Sequence, residues 1–103
     1  MSHEAPQIQL SAYEDLAAIA DRLVRYAGQT SANNITRRIL DTIDLLGPNP
    51  YLGPLHQDPV LARLGYRKLV VGRYVVIYRV DGERATVLRV FSGSSDYLRR
   101  IEE

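Results

Sequence analysis

At 103 residues the chain has the length of one domain with a single core and no need of covalent staples. It has no Cys, which excludes a disulfide framework, a thiolate zinc site and a Cys nucleophile, and its net charge of +1 says little by itself. His3 and His56 fall in an expected tail and an expected loop, without metal-ligand spacing, so no metal or cofactor is expected. The apolar runs are too short to span a membrane and no signal peptide precedes them, which makes a cytoplasmic protein the expectation.

Residues 1–6 read as a loose start to the domain. Gln7-Ile8-Gln9-Leu10 alternates polar and apolar residues and suits a short strand that could join a sheet. Ser11-Ala12-Tyr13-Glu14 has the S-x-x-E form of a capping box, in which each side chain satisfies a free backbone donor at a helix start. Tyr13, Leu16, Ala20, Leu23, Val24 and Ala27 recur at helical spacing before Gly28, which predicts a helix over 12–27. Ser31 then caps a second helix over 32–46, with an apolar stripe of Ile35, Ile39, Ile43 and Leu46, ended by Gly47-Pro48. A break of a few residues between the two predicts an antiparallel helical hairpin. From Asn49 to Leu64 the chain holds Pro50, Gly53, Pro54 and Pro59 without a clear period, which reads as a surface loop with one helical turn at Val60–Leu64.

The stretch from Gly65 to Phe91 organises the rest. Three runs rich in Val, Ile, Tyr and Phe are separated by Gly72-Arg73 and by Asp81-Gly82-Glu83-Arg84, the composition and spacing of a three-stranded antiparallel meander at 66–71, 74–80 and 85–91. A two-residue turn at Gly72-Arg73 pairs Val71 with Tyr74, Leu69 with Val76 and Arg67 with Tyr78. One face then carries Arg67, Leu69, Val71, Tyr74, Val76, Tyr78, Val80, Ala85, Val87, Arg89 and Phe91. The other carries Tyr66, Lys68, Val70, Val75, Ile77, Arg79, Thr86, Leu88 and Val90, and a slip of one residue would exchange the sets. The first face is the better core. The second is apolar for a surface yet holds Lys68 and Arg79, which suits either a covering partner or a groove for something anionic, or else a face covered by the chain's own helices. Ser92-Gly93-Ser94-Ser95 breaks the pattern, and Asp96 to Ile101 reads as a short terminal turn or helix. The order β-α-α-β-β-β makes residues 1–103 a single α+β domain, a helical hairpin packed on an antiparallel sheet.

Charge is unevenly spread. Residues 60–100 hold nine Lys and Arg against three acids, whereas residues 1–59 hold four Arg against seven acids. A basic sheet half points to an anionic partner, nucleic acid or an acidic protein. No Ser-His-Asp set, phosphate-binding glycine loop or carboxylate cluster is present. The chemistry-bearing residues are the cations Arg67, Lys68, Arg73, Arg79 and Arg89 together with Ser92 and Tyr97. Cations can neutralise phosphate, and a tyrosine can stack on a base or move a proton.

Several segments together carry a resemblance: S-x-x-E-D-L in the first helix, G-P-N-P-Y-L-G-P-L after the second, then GYRKLVVGRYVVIYRVDG and LRVFSGSSDYL. In this order, over Gln7 to Ile101, the chain resembles the RelE/ParE superfamily of toxins from type II toxin–antitoxin modules. The resemblance implies neutralisation by a cognate antitoxin protein. It also implies one of two targets: the ribosome and mRNA for RelE-like endoribonucleases, or DNA gyrase for ParE-like growth inhibitors. RelE-like members place an Arg where this chain has Val75, another near Ser94 and Ser95, and often a His where it has Ser92. A nuclease here would rely on Lys68, Arg79 and Tyr97. The R-V-F ending of the last strand and the short basic tail favour the ParE-like branch, with a ribonuclease as the alternative and a degenerate, non-toxic member after it. The residues expected to meet antitoxin or target are Arg67, Lys68, Arg79, Arg89, Asp96, Tyr97, Leu98, Arg99 and Arg100.

Overall fold

A computed structural model describes residues 4–93 of the chain. Strand β1, Gln7–Ile8, leads into helix α1, Leu10–Ala27, and helix α2, Gln29–Asp44. A loop and the short helix α3, Pro59–Arg63, precede the meander of β2, Tyr66–Val71, β3, Tyr74–Asp81, and β4, Arg84–Ser92. The sheet order is β1-β4-β3-β2, with β1 parallel to β4 and the other pairs antiparallel. The α+β architecture and the order β-α-α-β-β-β are those expected, and β1 adds the parallel pair that makes the sheet mixed. The terminal turn or helix expected at 96–101 lies outside the described residues.

The β2–β3 register is the predicted one: Val71 opposes Tyr74, Leu69 opposes Val76 and Arg67 opposes Tyr78. The β3–β4 pairing starts in the predicted register, with Val80 opposite Ala85 and Tyr78 opposite Val87. It then shifts between Tyr78 and Ile77, so that Ile77 opposes Arg89, Val76 opposes Val90 and Val75 opposes Phe91. Leu88 is the extra residue of a β-bulge. The bulge exchanges the faces of the strand's second half. Val90 joins Val76 on the helix-covered face, and Phe91 joins Val75 and Ile77 on the other, the reverse of the expected placement. Uniform alternation does not reveal this, because Val87, Leu88, Val90 and Phe91 are all apolar and satisfy either parity.

Both helices lie on the first face. Ala12, Leu16 and Ile19 of α1 and Ile39 and Ile43 of α2 pack with Leu46, Val71, Val76, Tyr78, Ala85, Val87 and Val90 in the main core. The α2 stripe is as read from the sequence, with Ile35 at its edge. The α1 stripe is rotated from the expected one: Tyr13 is 53% exposed, while Ala12 and Ile19 are buried. The starts of both helices differ too. Helix α1 begins at Leu10 with Gln9 as N-cap and no side-chain cap bond, so Ser11 is within the helix and free for another use. Helix α2 begins at Gln29, not after Ser31, and a single residue, Gly28 with φ of 90°, joins the two. Among the described residues no helix is long and apolar enough to cross a membrane.

Candidate functional site

The second face of the sheet is laid out in rows. Tyr66, Arg79 and Thr86 align across the strands, then Lys68, Ile77 and Arg89, then Val70, Val75 and Phe91. Of the alternatives the sequence leaves for this face, an open apolar middle is not what the structure has. Val75, Ile77 and Phe91 are buried, with Tyr66 packed against them. What remains accessible is the rim: Val70 is 60% exposed, and Lys68 and Arg79 are half-buried. At the β2–β3 end, Val70, Gly72, Arg73, Val75, Ser92 and Gly93 line a shallow cavity of about 550 Å³. Its floor is apolar and Arg73 supplies a cation at its mouth. The Gly93 N–H donates to the Arg73 carbonyl, which ties the end of β4 to the β2–β3 turn.

The cations predicted as a set have three different settings. Arg79 pairs with Asp81 at 3.1 Å with both side chains partly open to water, an arrangement that holds the guanidinium weakly and leaves it available. Lys68 Nζ donates to Gln57 Oε1 at 3.1 Å, also at the surface. Arg67 points to the first face, as its parity predicted. Its Nη1 donates to the Gly53 carbonyl at 2.7 Å and its guanidinium lies 4.8 Å from the Tyr51 ring centroid, so it binds the loop rather than the rim. Arg89 forks onto Asp15 of α1, Nε to Oδ2 at 2.8 Å and Nη2 to Oδ1 at 3.1 Å, and stacks at 4.8 Å over the Phe91 ring. Asp96, Tyr97, Leu98, Arg99 and Arg100 lie outside the described residues.

Sequence reasoning set His56 aside as a loop residue, remote from any chemistry. The loop in fact runs along the outer edge of β2. The His56 N–H donates to the Tyr66 carbonyl at 2.8 Å, the Lys68 N–H donates to the Pro54 carbonyl at 3.1 Å, and Leu55 bridges to Arg67. The imidazole is buried, and its Nδ1 accepts the Asp58 N–H at 3.0 Å, which puts the proton of the neutral ring on Nε2. Burial, and then the nearby charge of Lys68, hold its pKa below the usual 6.5 against the pull of Asp58. The loop is drawn close by Gly53, whose N–H donates to the Tyr78 hydroxyl at 2.8 Å. That hydroxyl in turn donates to the Gly53 carbonyl at 3.3 Å, and burial pushes the phenol above its ordinary pKa of 10.0. The signal for this was the Gly53-Pro54 pair, which marks a constrained turn but not its partner. Among the described residues no group of His, Asp and Glu could hold a metal ion.

The architecture has counterparts among solved structures. A structure of the chromosomal ParDE toxin–antitoxin system from P. aeruginosa superposes with a TM-score of 0.74 at 23% identity, covering 89% of this chain and 98% of that one. A structure of the toxin–antitoxin complex RelBE2 from Mycobacterium tuberculosis superposes with a TM-score of 0.62 at 21% identity, covering 91% of this chain and 97% of that one. At these identities the likeness is one of fold. No curated protein sequence matches the chain. The family model for the ParE toxin of the type II toxin–antitoxin system parDE matches residues 7–97, nearly the whole domain. The chain therefore belongs to the ParE toxin family of type II toxin–antitoxin systems.

Proposed function

We propose that this chain is a growth-inhibiting toxin that acts on DNA gyrase and is held inactive by a cognate antitoxin. The observation that carries the reading is the match to the ParE toxin model over residues 7–97. The geometry is in keeping with a contact mechanism. Where a nuclease of the superfamily would carry an Arg, Val75 is packed into the apolar cluster with Ile77 and Phe91 and offers no charge to a phosphate. An antitoxin segment with apolar and acidic residues suits the cavity beside Val70 and the cations Arg73, Lys68 and Arg79. Such a segment orders on binding, with acids placed against the rim cations. Both superposed structures are of toxin–antitoxin systems, which supports an antitoxin here as well.

One observation favours the alternative, ribosome-dependent mRNA cleavage: the sheet edge brings a neutral His56 into the electrostatic reach of Lys68. A burial of 4% exposure counts against it as the proton-transfer group. Induced expression separates the two. DNA breaks dependent on gyrase, with little mRNA cutting, are expected. Deletion from Ser95 onward is expected to abolish toxicity with the folded core retained, since a poison without catalysis acts through a contact surface. Primer extension showing discrete ribosome-dependent cuts that vanish in Tyr97→Phe would overturn the gyrase reading.

A further inference from the structure

The β4 bulge is secured from outside the sheet. Strand β1 pairs with β4 only at Thr86 and Val87, and beyond that point the outer edge of β4 faces the first turns of α1. The Gln9 N–H donates to the Val87 carbonyl at 3.0 Å. Ser11 Oγ donates to the carbonyl of the bulged Leu88 at 3.0 Å. Asp15 Oδ2 accepts the Val90 N–H at 2.9 Å while both its oxygens bind Arg89. Ser11 and Asp15 lie one helical turn apart and so reach two successive points of the same strand edge. The Asp15 carboxylate is 10% exposed and the Arg89 side chain 23%, so the pair sits where water screens it poorly.

We propose that Ser11 and Asp15 are positioning residues: from helix α1 they fix the β4 bulge and so set Ser92 and Gly93, which follow the buried Phe91, as one side of the cavity where the antitoxin docks. The docking part rests on the antitoxin reading above. The chain of contacts is continuous. Asp15 holds Val90 and Arg89, Arg89 stacks on the buried Phe91, Phe91 pairs across the sheet with Val75, which lines the cavity, and Ser92 and Gly93 form its wall. Continuing the register without the bulge would place Val90 opposite Val75 and Arg89 opposite Val76, a residue with no exposure. A freed strand end therefore has no comfortable alternative register, and the expected result of losing the clamp is local opening.

The test is amide hydrogen exchange and antitoxin affinity on the same variants, with the full-length product of the short reading frame adjoining the gene as the binding partner. In Asp15→Ala, protection of Val90, Phe91 and Gly93 is expected to fall by about tenfold or more relative to the β2–β3 hairpin, and affinity by about tenfold. Ser11→Ala is expected to give the same pattern at smaller amplitude, and it serves if Asp15→Ala does not fold. Ile39→Val, a core change of similar thermal cost to Ser11→Ala, is expected to lower protection evenly and leave affinity within about twofold. Even loss of protection across the sheet in both clamp variants, or unchanged affinity, overturns the positioning role. A wild-type chain that forms no complex overturns the antitoxin reading instead, and the exchange pattern then still decides whether the clamp sets the strand end.

Discussion

Along the outer side of β2 main chain meets main chain, with Pro54 and His56 bonded to Lys68 and Tyr66 and the approach set by Gly53. Along the outer side of β4, past the two residues of β1, the strand's polar groups are met by side chains, Ser11 and Asp15 of a helix. A bare strand edge invites unwanted pairing, and both devices remove that hazard. They differ in what they demand of the sequence. The β2 edge depends on the absence of a side chain at one position. The β4 edge depends on two particular side chains one turn apart.

The contrast predicts a graded set of losses. The largest is expected at Gly53. A Cβ there would lie 2.5 Å from the Lys68 carbonyl oxygen and 3.0 Å from a ring carbon of Tyr78, so Gly53→Ala must push the loop off the sheet. A loss of about 4 kcal/mol in denaturant unfolding is expected, and a loss below about 1 kcal/mol would mean the loop gives way easily. Asp15→Ala comes next, at about 2–3 kcal/mol, because it leaves Arg89 without its carboxylate and the Val90 N–H without its acceptor. A smaller loss than for Ser11→Ala would show that the ion pair is dispensable. Tyr78→Phe removes a buried hydroxyl that both accepts from and donates to Gly53, and about 1–2 kcal/mol is expected by the same measurement.

The rim cations sharpen the comparison further. Arg67 was expected from sequence to act in binding alongside Lys68 and Arg79, yet it anchors the β2-edge loop through Gly53 and Tyr51. Arg67→Ala is therefore expected to lower stability by about 1 kcal/mol, and Arg79→Ala by no more than about 0.5 kcal/mol while weakening partner binding. Equal thermal shifts for the two would remove the distinction. The smallest effect is one of pH. The pKa of His56 is lower folded than the 6.5 of the free side chain, so the unfolded chain takes up a proton first as pH falls. Stability is expected to decline from about pH 6.5 downward until the folded pKa is reached, and His56→Gln should flatten that decline. The drop should register at the β2 edge, where the protonated Nδ1 can no longer accept from Asp58, and not at β4.

These edges also mark where the sequence stopped being legible. Strong alternation and short glycine turns put β2, β3 and the start of β4 in register, and helical spacing located Ile39 and Ile43 in the core. Those signals are local and repeat. The bulge at Leu88 leaves little local mark, since the apolar residues around Arg89 are tolerable on either face, and the side chains that bond the strand there, Ser11 and Asp15, lie more than seventy positions away. Ser11 misled for the same reason. In S-x-x-E it looks like a helix cap, and only the docking of α1 on β4 shows that its hydroxyl serves a strand. The split of the cations followed partly from parity, which separated Arg67 from Lys68 and Arg79, but the engagement of Arg89 by Asp15 did not. His56 was discounted because a loop rich in Pro and Gly gives no period from which to infer that it runs beside a strand.

The parallel pairing of Gln7 with Thr86 has a bearing on synthesis. The two helices, joined by Gly28 alone, have only neighbours in sequence to find and can form while the chain is still emerging. The sheet cannot close until residues beyond Val90 have been made, because the first strand and the first helix wait for partners near the other end. At translation rates of roughly 5–20 residues per second the hairpin is exposed for several seconds before that happens. A chain halted ahead of β4 thus holds the helical pair and the β2–β3 hairpin but lacks the strand that joins β1 and α1 to them, so completion of the fold waits for the last tenth of the described residues.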